Sequence, residues 1–253
     1  MNLQSYIKRI QCEGDLDPTL PVLKQLQKSH LLNIPFENLD IHRAIDIKLD
    51  LEKIFQKVVG SKRGGFCYEL NGLFLALLNS IGYQSKRISA RVFDVDKAKY
   101  GPEYDHLAIV TNLENQEYLV DVGFPEAPFT PIQLTLNKKQ NDGKNDYFID
   151  KFEDDYLRLN KVIGAESVPQ YIFRNEHCPF DQFEEMCLFH QTDPSSFFLK
   201  GKIITLPTED GRITLTNDKL KITSHHSVEE TPVKDDEQFA ANLLGYFGIE
   251  LRK

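Results

Sequence analysis

Positive charge is in short supply in this chain. Thirty Lys and Arg residues stand against 38 Asp and Glu, a formal net charge of −8. That weighs against a nucleic-acid or anionic-membrane partner, because phosphate groups select Lys and Arg. Long hydrophobic runs are missing too: no apolar stretch approaches the ~20 residues of a membrane span. The opening segment, MNLQSYIKRIQCEGD, has no apolar stretch behind its charges and does not read as a signal peptide. The four cysteines, Cys12, Cys67, Cys178 and Cys187, show no CxxC spacing. Gly64-Gly65 is followed by no Lys-Ser/Thr at phosphate-loop spacing. Repeats, low-complexity tracts and long linkers are absent. These absences predict a cytoplasmic protein with free thiols, three of them small buried hydrophobes and the fourth, Cys67, in a different neighbourhood.

What is present is ordinary globular material. Hydrophobic residues make up 41% and charged residues 27%, against the low hydrophobicity and high net charge of disorder. The 253 residues accommodate one large domain or two to three small ones sharing a core. The first third reads as helical. Leu20 to Leu32 follows the start signal Asp17-Pro18, Pro35 stops any helix in NIPFENLDIH, and LDLEKIFQKVVG is amphipathic to Gly60. Leu70, Leu73, Phe74, Leu77, Leu78 and Ile81 then form the i, i+3, i+4 series of a helix with one buried stripe, which Gly82 ends. From about residue 85 the period changes to short β-branched segments separated by turn residues. A helix is expected at FDQFEEMCLFHQ, three strands in FFLKGKIITL, GRITLTN and KLKITSHHSV, and a closing helix in DDEQFAANLLGYFGIEL with acidic residues at its start. Helices, then strands, then a mixed segment predict an α+β protein with boundaries near 84 and 178.

Cys67 precedes Leu70 by three residues and therefore falls on the buried face of that helix, in its first turn. Gly64 and Gly65 before it permit a sharp turn and close approach of another molecule. A helix N-terminus lowers a thiol pKa and offers N–H groups to an oxyanion. A base is at hand in His106, which opens the strand HLAIV, and a carboxylate in Asp121, within YLVDV. Both strands are nearly continuously apolar and should be buried on both faces. With Leu113-Glu114 at the centre of a hairpin, His106 faces Asp121, and facing β-carbons lie about 4.5–5.5 Å apart. A register shifted by two puts Gly123 there instead. His106 comes only 39 positions after Cys67, which fits neither papain-like proteases nor caspases.

Taken together, RGGFCYELNGLF (Arg63 to Phe74) resembles the active-site signature of arylamine N-acetyltransferases. HLLNIPFENLDIH (His30 to His42) resembles the family's N-terminal signature, DHLAIV and YLVDVGF its His and Asp segments, and Phe189 to Leu215 its later Ser-Pro-x-Ser-x-Phe segment. The resemblance runs from about Tyr6 to the last helix. It implies a helical N-terminal domain (1–84), a β-barrel second domain (85–178) and an α/β lid (179–253), the first two forming a core similar to cysteine proteases and transglutaminases. It implies acetyl-CoA as cosubstrate without a metal, and a small-molecule arylamine, arylhydroxylamine or hydrazine as acceptor. By position, Cys67 would be the acetylated nucleophile, His106 its base and Asp121 the orienter. Phe36 and Phe124 would line the acceptor pocket, and Phe189, Ser195 and Ser196 would contact coenzyme A. Two positions depart from the pattern: Pro125 where many members have Gly, and Asp193 where many have Ser or Thr.

Other features carry plainer readings. His177-Cys178, His190 and His225-His226 match no zinc spacing and read as surface or loop histidines. Glu209 to Arg212 reads as a hairpin turn. Arg63 reads as half of a buried ion pair with Glu37 or Glu69. A thiol amide synthase or hydrolase on the same three residues, and a non-catalytic binding module, stay open, as does the oligomeric state.

Overall fold

The structure, a computed structural model, describes residues 2–224 and 227–251; His225-His226 lies outside the described residues. Helix α1 (Leu3–Arg9) begins where the Asn2 side chain accepts the Ser5 N–H. Helix α2 (Leu20–Asn33) has a proline in its first turn, where a missing N–H costs nothing. Strand β1 is the pair Phe36–Glu37, in the stretch where the sequence showed only a stop to helix. Helix α3 (Leu51–Phe55), capped by Asp50, widens into a turn over Gln56–Gly60. Helix α4 (Cys67–Ile81) matches the predicted stripe and ends at Gly82, whose φ of 112° favours glycine.

The middle of the chain is one curved sheet. Its strands are β2 (Gln84–Asp94), β3 (Lys99–Tyr100), β4 (His106–Leu113), β5 (Gln116–Val120), β6 (Ile132–Gln133), β7 (Gln140–Asn141), β8 (Asp146–Lys151), β9 (Leu157–Ile163) and β10 (Glu166–Phe173). They pair in the order β6-β5-β4-β2-β10-β9-β8-β7, with β3 on β2. The two end strands are bridged by one side chain: the Gln140 amide donates to the Gln133 carbonyl, and its Oε1 accepts the Gln133 N–H. The sheet is thereby nearly closed into a barrel. One face of β4 (Ala108, Val110) packs inside with Ile88, Leu119 and Tyr147. The other (Leu107, Ile109) packs on Leu70, Leu73 and Phe74 of α4. Burial on both faces is why β4 reads as a continuous apolar run.

The expected hairpin register is corrected. Leu113 pairs with Gln116, and Ile109 with Val120. The turn is centred on Glu114-Asn115, both at positive φ, as a two-residue turn matching the strand twist requires. Extended, this register sets Gly123 rather than Asp121 opposite His106. It is the second of the two registers the sequence left open.

The last part holds α5 (Glu184–Thr192) and β11 (Ile203–Pro207), β12 (Arg212–Thr216), β13 (Lys219–Thr223) and β14 (Val228–Pro232), closed by α6 (Asp236–Phe247). The β11–β12 turn spans 208–211, so Glu209 to Gly211 lie in it as expected, while Arg212 already belongs to β12 and pairs with Pro207. This sheet runs β1-β11-β12-β13-β14. Phe36 pairs with Thr205, so β1 ties the N-terminal helices to the last sheet. Phe239, Leu243 and Phe247 of α6 pack over Ile204, Leu215 and Leu220. The architecture is α+β. Among the described residues no helix is long and apolar enough to cross a membrane.

Candidate active site

Cys67 opens α4 and is 3% exposed. The turn before it is crowded by the chain itself. A Cβ on Gly64 would stand 2.1 Å from the Pro35 carbonyl oxygen, so the glycine is there for β1 rather than for a visiting molecule. The loop after β5 presses in from the other side. A Cβ on Gly123 would lie 2.8 Å from Cys67 Cα and 2.9 Å from the Cys67 carbonyl oxygen, both backbone atoms that cannot yield.

That close approach brings Asp121 under the helix that Cys67 opens. Its carboxylate is buried and accepts five hydrogen bonds. His106 Nε2 (2.7 Å) and the Tyr171 hydroxyl (3.0 Å) donate to Oδ2. The Asn71 amide (2.8 Å) and the N–H groups of Gly123 (2.9 Å) and Phe124 (3.1 Å) donate to Oδ1. Burial pushes the Asp121 pKa up, but the His106 charge and these donors outweigh it, and the carboxyl lies below its ordinary value. An ionised carboxylate only accepts, so Nε2 carries the imidazole proton and Nδ1 is left as the basic nitrogen. The rings of Phe124 and Tyr171 pack against His106 at 5.4 and 5.3 Å between centroids, fixing its plane.

The thiol departs from expectation in one respect. Burial pushes the Cys67 pKa well above its ordinary value, and nearby Asp105 and Asp121 add to this. The Leu107 N–H, hydrogen-bonded to the sulfur, works the other way. The predicted lowering by the helix N-terminus is overcome because the sulfur is taken out of water.

Cys67 and His106 line one cavity of about 700 Å³, together with Phe36, Phe124, Phe189 and Ser195. Ser196 lines it as well, but its hydroxyl donates to the His190 carbonyl (3.0 Å) and accepts the Phe198 N–H (3.2 Å). The Ser195 hydroxyl and N–H both bond Asp193 Oδ1, at 2.6 and 2.9 Å. That holds Asp193 in a local turn, and it is not among the cavity's lining residues. Pro125 does line the cavity, and its carbonyl accepts from Arg212.

Several participants had no signal in the sequence. Asn71 lies one helical turn after Cys67, outside the apolar stripe, and Tyr171 sits far away on β10. His190, read as a loop histidine, is buried on α5 beside Asp105, its Nε2 3.5 Å from Oδ1. Arg63 is buried as expected, pairing with Glu37 (2.7 Å) and also with Asp40 (2.9 Å). Glu69, the other candidate, is taken by Lys57 at 2.8 Å. Cys12 and Cys187 are buried, and Cys178 is partly buried. Among the described residues no group of three or more His, Cys, Asp or Glu is placed to hold a metal ion.

A family model described as N-acetyltransferase matches residues 19–253. An arylamine N-acetyltransferase of Mycolicibacterium smegmatis is 32% identical over 99% of this chain and 93% of its own. The structure of a Mycobacterium marinum arylamine N-acetyltransferase in complex with CoA superposes with a TM-score of 0.89 at 30% identity, covering 98% of this chain and 93% of that one. A Bacillus cereus arylamine N-acetyltransferase, described as having a Cys-His-Glu catalytic triad, gives a TM-score of 0.92 at 25% identity, covering 99% and 100%.

Proposed function

Because the chain belongs to the arylamine N-acetyltransferase family, we propose that it moves the acetyl group of acetyl-CoA to the nitrogen of an arylamine, arylhydroxylamine or hydrazine through an acetyl-Cys67 intermediate. The observation that carries this reading is the buried Asp121–His106 pair, 2.7 Å apart, whose His106 lines the same cavity as Cys67. His106 Nδ1 takes the thiol proton as the sulfur bonds to the acetyl carbon. First-turn N–H groups of α4 stabilise the oxyanion, and coenzyme A leaves as its thiol after accepting the proton. The amine nitrogen then attacks the carbonyl carbon of the acetyl-Cys67 thioester, the carbon–sulfur bond breaks, and His106 passes the amine proton to the departing sulfur, which returns as the free thiol. Arylamines suit this cycle because they are largely neutral nucleophiles at pH 7. Asp121 keeps the imidazole in the productive tautomer and stabilises the imidazolium that forms.

Phe36 and Phe124 would flank the acceptor ring, and Phe189 and Ser195 would meet the donor. Ser196 would act by shaping that wall, since its hydroxyl is engaged. The segments 1–84, 85–178 and 179–253 are taken as the helical, barrel and lid domains. The enzyme is read as cytoplasmic, needing no metal.

The test is intact-mass analysis after exposure to acetyl-CoA alone. The wild type should gain one acetyl group and lose it when an aniline or hydrazine is added. Cys67→Ala should neither gain the group nor transfer it. Retention of most of the transfer rate in Cys67→Ala would sink the proposal, and turnover of other acyl donors with none of acetyl-CoA would move the assignment to an amide synthase or hydrolase.

A further inference from the structure

A second cavity, of about 500 Å³, lies between the barrel strands β8 and β9 and the lid strands β12 and β13. Its wall carries four cationic side chains, Lys144, Lys161, Arg212 and Lys221, against two carboxylates, Glu126 and Asp210. That is an excess of two positive charges on one concave surface of a chain whose net charge is −8. Concave walls of one sign concentrate the field and attract counter-ions.

Of the four cations, Lys161 and Lys221 meet carboxylates, whereas Lys144 and Arg212 direct hydrogen bonds to neutral acceptors. Lys161 pairs with Glu126 at 2.8 Å. Arg212 reaches the same carboxylate only at 3.9 Å, and directs its remaining donors to neutral acceptors, the Thr205 hydroxyl and the Pro125 carbonyl. Lys144 donates to the Thr208 carbonyl and sits 4.2 Å over the Phe129 ring, again neutral groups. Lys221 meets Glu230 at 3.4 Å, a carboxylate it shares with Lys219. Burial holds the pKa of Lys144 below its ordinary value despite Glu209, Asp142 and Asp210, and that of Arg212 below its own despite Glu126. The neighbouring carboxylates thus fail to offset the desolvation of these two cations, which an anion in the cavity would do.

We propose that this cavity is a binding site for a phosphate or diphosphate group, held by Lys144, Arg212 and Lys221. Two sources share that chemistry: the phosphate-bearing part of the acyl donor, or a free small phosphate. The first is spatially open, because Pro125 lines the catalytic cavity and the next residue, Glu126, lines this one. Only the donor source rests on the acyl-transfer reading; phosphate binding itself does not.

The test is calorimetric titration of the full chain with inorganic pyrophosphate. Saturable binding should weaken at least about tenfold in the Lys144→Ala/Lys221→Ala double variant, roughly two ion contacts. It should stay unchanged in Lys219→Ala, which also disturbs Glu230 but does not line the cavity. If the double variant fails to fold by circular dichroism, Lys221→Ala alone serves, with a smaller loss in the same direction. Absence of saturable binding, or equal affinity in wild type and variants, overturns the proposal. The KM for acetyl-CoA and for acetyl-pantetheine, which lacks the phosphates, then separates the sources. A rise for acetyl-CoA only identifies the donor, and loss of pyrophosphate binding with both KM values unmoved identifies a free anion. A chain that transfers no acetyl group would still be judged by the titration.

Discussion

Buried charge lies on both sides of the first turn of α4, and the two sets are held in opposite ways. On the barrel side, one carboxylate, Asp121, is surrounded by five donors, one of them the His106 imidazole. On the β1 side, two cations face three carboxylates. Arg63 bonds Glu37 and Asp40, and Lys57 bonds Asp40 and Glu69, both at 2.8 Å. In the proposed cycle the first arrangement would let His106 take up and release a proton with Asp121 still held by its other donors. The second fixes charges against each other and holds the backbone that delivers Cys67: Glu69 also accepts the Phe66 N–H at 3.1 Å, and Glu37 the Leu39 N–H at 2.7 Å. One set is built for a change of charge and the other to prevent one.

The comparison is broken most severely at Asp121. Asp121→Asn keeps the shape but replaces an acceptor with a donor facing His106 and inverts the tautomer. We expect kcat/KM for acetyl transfer to fall about 10⁴-fold in steady-state assays, as loss of the orienting carboxylate does in other triads. A loss of less than about tenfold would remove Asp121 from the mechanism. On the other side, Arg63→Ala leaves the fully buried Glu37 without its cation. Urea unfolding should then show a loss of about 3–5 kcal/mol; a change below about 1 kcal/mol would mean the network is ornamental to the fold.

A third buried group sharpens the contrast because it has no partner to compensate it. His30 stacks on Phe74 at 5.1 Å and meets Tyr6 edge-on. Among the described residues neither of its ring nitrogens is hydrogen-bonded. Burial drops its pKa to about 3. Between about 6.5 and that value the unfolded chain binds a proton that the folded chain refuses. Its contribution to stability is therefore complete above about pH 6.5 and is lost as pH falls toward the folded value, at roughly 1.4 kcal/mol per pH unit. Denaturant midpoints measured across that range should show this slope in the wild type and lack it in His30→Phe. An unchanged slope would mean some other group is responsible. The smallest effect is expected for Tyr171→Phe. It deletes one of Asp121's five donors, and should cost about 1 kcal/mol of stability and about tenfold in kcat/KM.

Much of this site could be read along the chain, but not its joints. The apolar stripe put Cys67 in the first turn of a helix, and the turn chemistry of Gly82 ended that helix where it does end. Arg63 was recognisably half of a buried pair, although the choice between Glu37 and Glu69 depended on Lys57 claiming the latter, and nothing local announces that. The β4–β5 register was left with two answers because LENQ offers no glycine to mark the turn centre. The fold chose Glu114-Asn115, and Asp121 then reaches His106 along a diagonal rather than directly across. β1 was invisible as a strand because its partner, β11, lies far along the chain.

By itself the sequence determined the helix that carries Cys67, the change of period near residue 84, and the strand that His106 opens; Asp121, expected within a strand, falls in the loop just after β5. The helix, the change of period and the His106 strand follow from patterns among contiguous residues, where spacing alone says which side chains share a face. The tertiary structure alone decided that Gly123 lets the Asp121 loop touch α4, that the sulfur is dry enough for its pKa to rise rather than fall, and that four cations meet around a second cavity. Burial and Coulomb interaction depend on neighbours brought together from distant parts of the chain, and local spacing carries no information about them.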